Sequence, residues 1–142
     1  MIDFDTTFKK SYERVLGNQT SQKNEFFASF YERFIASSPL VAEKFKNIDM
    51  HAQKVMLKQS IYHLLNLFTT KKIPNNLKEI ARKHDRDHAD IPPELYYLWM
   101  ECLIDTVAEF DVRFSSDVEL AWRLVCSQGI AFMSYVHKQS ER

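Results

Sequence analysis

Glycine is scarce in this sequence: there are two in 142 residues, where about 7% would be ordinary. A chain of short strands and tight turns needs many more, so β-sandwiches and barrels are poorly supported. No glycine-rich loop exists either, which excludes Walker-type and dinucleotide-type phosphate cradles. Net charge is missing as well, since 19 Lys and Arg balance 19 Asp and Glu and the pI is near 7.0. That removes the usual electrostatic argument for nucleic acid or an anionic membrane as partner. Cys102 and Cys126 are the only cysteines and form no CxxC. They are too few for a disulfide framework and read as buried thiols in a reducing compartment, the cytoplasm. The acidic start, Met1-Ile2-Asp3-Phe4-Asp5, lacks the basic-then-apolar order of a signal peptide. No apolar run approaches the roughly 20 residues of a membrane helix, and no GxSxG elbow is present for nucleophilic catalysis.

Aromatic residues are plentiful, at 13% with 11 phenylalanines. Together with 45% hydrophobic residues, they point to one all-α domain spanning residues 1–142 around a large aromatic interior. A first helix is expected from Thr6 to Leu16, stopped by Gly17-Asn18. A second follows Thr20-Ser21, with Phe26, Phe27, Phe30 and Phe34 forming a helical stripe. Pro39 opens a short turn of helix, and Asp49 is the expected N-cap of a long one carrying Leu57, Ile61 and Leu64. Beyond a surface connection at 71–76, Leu77, Ile80, Ala81, His84 and His88 follow one helical face, up to Ile91-Pro92-Pro93. Two longer helices complete the chain, one with Tyr96, Trp99 and Leu103, the last with Trp122, Val125 and Met133, reaching about His137. Six to eight helices of unequal length are not a simple up-down bundle.

His84 is the first candidate for chemistry, because it lies on an apolar stripe among Lys, Arg and Asp. It reads equally as a core-edge histidine satisfied by backbone or as an axial metal ligand. His84 and His88, four apart, could clamp zinc, although no third ligand or internal Glu accompanies them. Tyr31 is either a boundary tyrosine or a site residue, and Gln53 either a solvated helix residue or a polar group of a pocket. The carboxylate pairs Asp85/Asp87 and Glu109/Asp111 are expected to be solvated charge.

Taken in order, these segments resemble the bacterial single-domain globins and the haem domain of flavohaemoglobins. The residues that carry the likeness run from Phe30-Tyr31-Glu32-Arg33-Phe34, through Ser38-Pro39 and Phe45, to Gln53 and Leu57. Ile80-Ala81-Arg82-Lys83-His84, Pro93-Glu94-Leu95-Tyr96 and Ala121-Trp122 continue it. The likeness spans about Asp3 to His137. It departs from flavohaemoglobins at His137, where they place a Glu, and in a longer segment between His84 and Pro93.

The resemblance implies a globin fold enclosing haem b (iron protoporphyrin IX). It casts His84 as the proximal iron ligand, Phe45 as the residue packed on the porphyrin, and Tyr31 and Gln53 as hydrogen-bond donors to a bound diatomic gas. Leu57 would be the apolar wall beside that gas, His88 a contact to a haem propionate, and Tyr96 a neighbour of His84. Reversible binding of O2, CO and NO, in O2 binding or sensing, is the function implied. Nitric-oxide dioxygenation is an alternative, and because no flavin or nicotinamide module follows before Arg142 it would need an external reductase. A haem-free interaction or sensory domain on the same fold is another. No nucleic acid or membrane partner is expected, and a monomer and a homodimer both fit.

Overall fold

The computed structural model describes residues 3–17 and 23–140, and among them the protein is built of seven α-helices with no strand. They are α1 (Phe4–Leu16), α2 (Lys23–Ala36), α3 (Pro39–Lys44), α4 (Met50–Thr70), α5 (Asn75–Lys83), α6 (Glu94–Phe110) and α7 (Ser116–Gln139). The all-α architecture of six to eight unequal helices expected from the sequence is the one observed. Helix α1 starts two residues earlier than expected, because the Asp3 carboxylate accepts from both the Thr6 N–H and the Thr6 hydroxyl, at 3.2 and 2.8 Å. It ends at Leu16, with Gly17 as C-cap; Asn18 and the Thr20-Ser21 start of the second helix lie outside the described residues. Ser38 caps α3 ahead of Pro39. The Asp49 carboxylate accepts from the His51 and Ala52 N–H groups, as its N-cap role requires.

The interior is a continuous aromatic and aliphatic core. Phe26 and Phe30 of the α2 stripe are fully buried, and the Phe8 ring of α1 sits 4.6 Å from Trp122 of α7. Each such side chain contributes about 1.5–3 kcal/mol through burial. Helix α7 packs along α1 and α4, while α2 packs on α6. Gly129 of α7 faces Leu64 of α4, whose Cδ2 methyl fills the space an added Cβ would take, at 1.9 Å. Cys102 and Cys126 are free and buried, and burial pushes the Cys126 thiol up to about 12. No helix among the described residues is long and apolar enough to cross a membrane.

Two expectations are corrected by the structure. Helix α5 ends at Lys83 with His84 as its C-cap, so His84 and His88 do not share a helix face. Beyond it the chain folds back on itself. The N–H of Ala89 donates to the Lys83 carbonyl, that of Asp90 to Asp85, and that of Ile91 to His84. Asp90 takes a left-handed φ of 51°, which a continuing helix cannot accommodate.

The second correction concerns charge, because Asp111 and Asp85 are buried rather than solvated. Asp111 accepts from the Ser11 hydroxyl at 2.6 Å, from Arg14 Nη2 at 2.9 Å and from the Arg113 N–H at 2.9 Å. Trp122 Nε1 donates in turn to Ser11 Oγ at 2.8 Å, which ties α1, the end of α6 and α7 together. Burial alone would raise the Asp111 pKa; Arg14, Ser11 and the Arg113 N–H outweigh it and hold the carboxyl below its ordinary range. Asp85 accepts from His88 Nδ1 at 2.7 Å and from the Asp87 N–H at 3.0 Å. Glu109 and Asp87 are at the surface, as expected.

Candidate functional site

Between α2, α3 and α4 on one hand and α5, α6 and α7 on the other lies a largely apolar cavity of about 210 Å³. Of the seven candidate residues, it brings together six: Tyr31, Phe45, Gln53, Leu57, His84 and Tyr96. The seventh, His88, lies outside the lining. It is exposed, with Nδ1 on Asp85 and Nε2 3.2 Å from Arg82 Nη1.

The geometry of His84 follows from where α5 ends. Its C-cap position directs Nδ1 to 2.6 Å from the Ile80 carbonyl. A carbonyl can only accept, so Nδ1 carries the proton and the lone pair of the neutral ring is on Nε2. Burial keeps the ring neutral by holding its pKa below the ordinary value; Lys83 acts in the same sense and the Ile80 hydrogen bond opposes it. A neutral imidazole oriented by a backbone carbonyl is the arrangement of a metal-ligating histidine.

From α2, Tyr31 enters the cavity with only 4% of its surface exposed. Its hydroxyl donates to the Gln53 backbone carbonyl at 3.1 Å. Its ring meets the edge of Phe30 at 4.9 Å and of Phe45 at 5.7 Å. Burial raises the phenol pKa, so the proton stays on. Phe45, at the C-cap of α3, also packs on Phe34 at 5.8 Å. Gln53 stands in the first turn of α4 and Leu57 one turn further on, both placed by the Asp49 cap.

Tyr96, early in α6, is buried, and its hydroxyl meets no hydrogen-bond partner. Burial keeps it protonated. Such an atom costs about 1–3 kcal/mol while unpaired, so the cavity holds an unused donor in addition to an unused lone pair. Sequence reasoning missed Ser60, Gly129 and Lys44 in the lining. Helical spacing from Gln53 and Leu57 could have found Ser60. Nothing local in sequence marks the other two.

The donor set fits haem. No group of three or more His, Cys, Asp or Glu among the described residues could hold a bare metal ion, which also removes the zinc-clamp reading of His84 and His88. A single imidazole in an apolar cavity suits a metal that brings its own in-plane ligands, as iron in porphyrin does.

No model of a known protein family and no curated protein sequence matches the chain. Among solved structures it is similar to the crystal structure of a protein from Pseudomonas aeruginosa PAO1, described as structurally highly homologous to a human hemoglobin. The two share 33% sequence identity at a TM-score of 0.86, over 95% of this chain and 98% of that one.

Proposed function

The chain belongs to the globins, and from that premise we propose that it is a haem b protein that binds O2 and other diatomic gases reversibly. The observation that carries this reading is the His84 imidazole, fixed by Ile80 with Nε2 unprotonated in an apolar cavity. Haem iron, when bound, supplies an open coordination position for a diatomic gas.

Every other contribution comes from the chain. His84 ligates through Nε2, and its hydrogen bond to Ile80 sets both tautomer and ring orientation. Leu57, Phe45 and their neighbours exclude water, which strengthens each polar contact made inside. Tyr31 has one hydroxyl proton, which the Gln53 carbonyl accepts in this structure. Tyr31 would thus be the hydroxyl donor available to a gas in the cavity, since a hydrogen bond to an acceptor bearing negative charge is stronger than one to a neutral carbonyl. The Gln53 side-chain amide supplies a second donor. A tyrosine-plus-glutamine pair implies slow gas release, which suits sensing or O2 chemistry better than bulk storage.

Absorption spectra of the haem-reconstituted protein, ferric, reduced, and reduced plus CO, test the reading beside His84→Ala. The expected result is a Soret band with a sharp CO shift that is weakened or displaced in the variant. No specific haem uptake by the wild type would move the function to a haem-free interaction domain.

A further inference from the structure

Of the six tyrosines, two meet ring to ring among the described residues: Tyr12 of α1 and Tyr62 of α4. Their ring centres are 5.1 Å apart and their planes inclined at 57°. The pair lies in a second recess, between α1 and α4, with Phe8, Glu13, Ile61 and Leu65, and this recess shares no lining residue with the first cavity. The partners differ in exposure, since Tyr12 is 4% exposed and Tyr62 51%. Burial, then the Tyr62 hydroxyl, then the Glu13 carboxylate raise the Tyr12 pKa well above its ordinary value, so its proton stays on. The Tyr62 hydroxyl is near enough to act on it, yet the Tyr12 hydroxyl oxygen is buried without a well-formed hydrogen bond. A phenylalanine would fill the same space without burying that oxygen, so packing alone gives no reason for a phenol here.

We propose that Tyr12 and Tyr62 form an oxidative modification site, at which one-electron oxidants convert the pair to dityrosine and join α1 covalently to α4. The exposed Tyr62 phenol gives an electron to the oxidant and its hydroxyl proton to water. The resulting phenoxyl takes a hydrogen atom from the neighbouring Tyr12 hydroxyl, which moves the radical into the recess. A second equivalent of oxidant then takes an electron from Tyr62, and the proton again goes to water. The two phenoxyls join through ring carbons ortho to their oxygens, and the hydrogens on those carbons move to the oxygens. In sum, two phenols become one biphenol, two electrons reduce two equivalents of oxidant, and two protons enter water. Phe8, Ile61 and Leu65 shield the Tyr12 radical from water and from other chains. The fixed ring contact makes the coupling intramolecular, which favours it over encounters between chains. None of these steps depends on haem.

The test treats the dilute full-length chain with two equivalents of hexachloroiridate(IV), a one-electron oxidant, and maps the product by tryptic digestion and mass spectrometry. The expected product joins the peptide containing Tyr12 to the one containing Tyr62, is lighter than their sum by two hydrogen atoms, and shows dityrosine fluorescence. Its yield should be roughly tenfold that of any other tyrosine pair. Tyr12→Phe and Tyr62→Phe should each lose the product and its fluorescence, with circular dichroism and thermal unfolding showing both variants folded. Tyr97 and Tyr135, more exposed than Tyr62, measure the effect of accessibility alone. Cross-links through them at the yield of the Tyr12–Tyr62 product would overturn the inference, because exposure and not the pairing would then decide. So would the absence of that product from the wild type, or wild-type fluorescence in Tyr12→Phe.

Discussion

Two buried polar regions of this molecule differ in whether their hydrogen-bonding groups are satisfied. Where α1, α6 and α7 meet, Asp111, Ser11, Arg14 and Trp122 close a network in which the carboxylate is neutralised and the indole N–H is paired. In the cavity between α2–α4 and α5–α7, the Tyr96 hydroxyl has no partner and the His84 ring keeps a lone pair on Nε2. The first region is complete without a ligand, which marks it as scaffold. The second presents an unpaired donor and a free lone pair among the residues that line an apolar cavity, and it is that combination with the cavity that fits a ligand site.

The largest expected effect breaks the scaffold and spares the site. Asp111→Ala should destabilise the fold by about 3 kcal/mol, because it leaves Arg14 and Ser11 without their shared acceptor; denaturant unfolding measures it. The same carboxylate sets a pH dependence. Its folded pKa is depressed, so its contribution is fully present above the ordinary carboxylate value and is lost as pH falls through the lower folded value. Unfolding at a series of acid pH values should therefore show wild type and Asp111→Asn converging toward low pH.

Next in size is Gly129→Ala, whose methyl group would displace Leu64. It should cost about 2 kcal/mol by overpacking and narrow the cavity from the α7 side. Thermal unfolding checks the first effect, and the haem:protein ratio at saturation checks the second. Tyr31→Phe acts on the site alone: in the haem-loaded protein, stopped-flow displacement of O2 by CO should show release about tenfold faster. Unchanged release would remove Tyr31 from contact with the gas.

The smallest effect has the opposite sign. Tyr96→Phe removes an unpaired buried hydroxyl and should stabilise the haem-free protein by about 1 kcal/mol. An equivalent change in the scaffold, Ser11→Ala, should destabilise, because Ser11 serves Asp111 and Trp122 at once. Paired calorimetry of these two variants is the sharpest form of the comparison.

The sequence made the helices legible where the signal is local. Asp49 caps α4, Ser38-Pro39 opens α3, and the phenylalanine stripe of α2 is buried as its spacing predicts. Six of the seven candidate residues line one cavity. What escaped depends on contacts far apart in the chain. Asp111 reads as a surface carboxylate because its partners Ser11 and Arg14 lie 100 and 97 residues away. The end of α5 at Lys83 was hidden because the apolar spacing runs on to His88, while the left-handed Asp90 turns the backbone away. Lys44 escaped because its one acceptor is a carbonyl 45 residues on, in an irregular segment.

The central claim is that the incomplete region, and not the scaffold, holds the cofactor through His84. It is tested most directly by the rise in unfolding temperature that haem confers on wild type, His84→Ala and Asp111→Ala, since a ligand stabilises only the state that binds it. The account predicts a clear rise in wild type, a rise of similar size in Asp111→Ala from its lower starting point, and a much smaller one in His84→Ala. Equal rises in wild type and His84→Ala would contradict it.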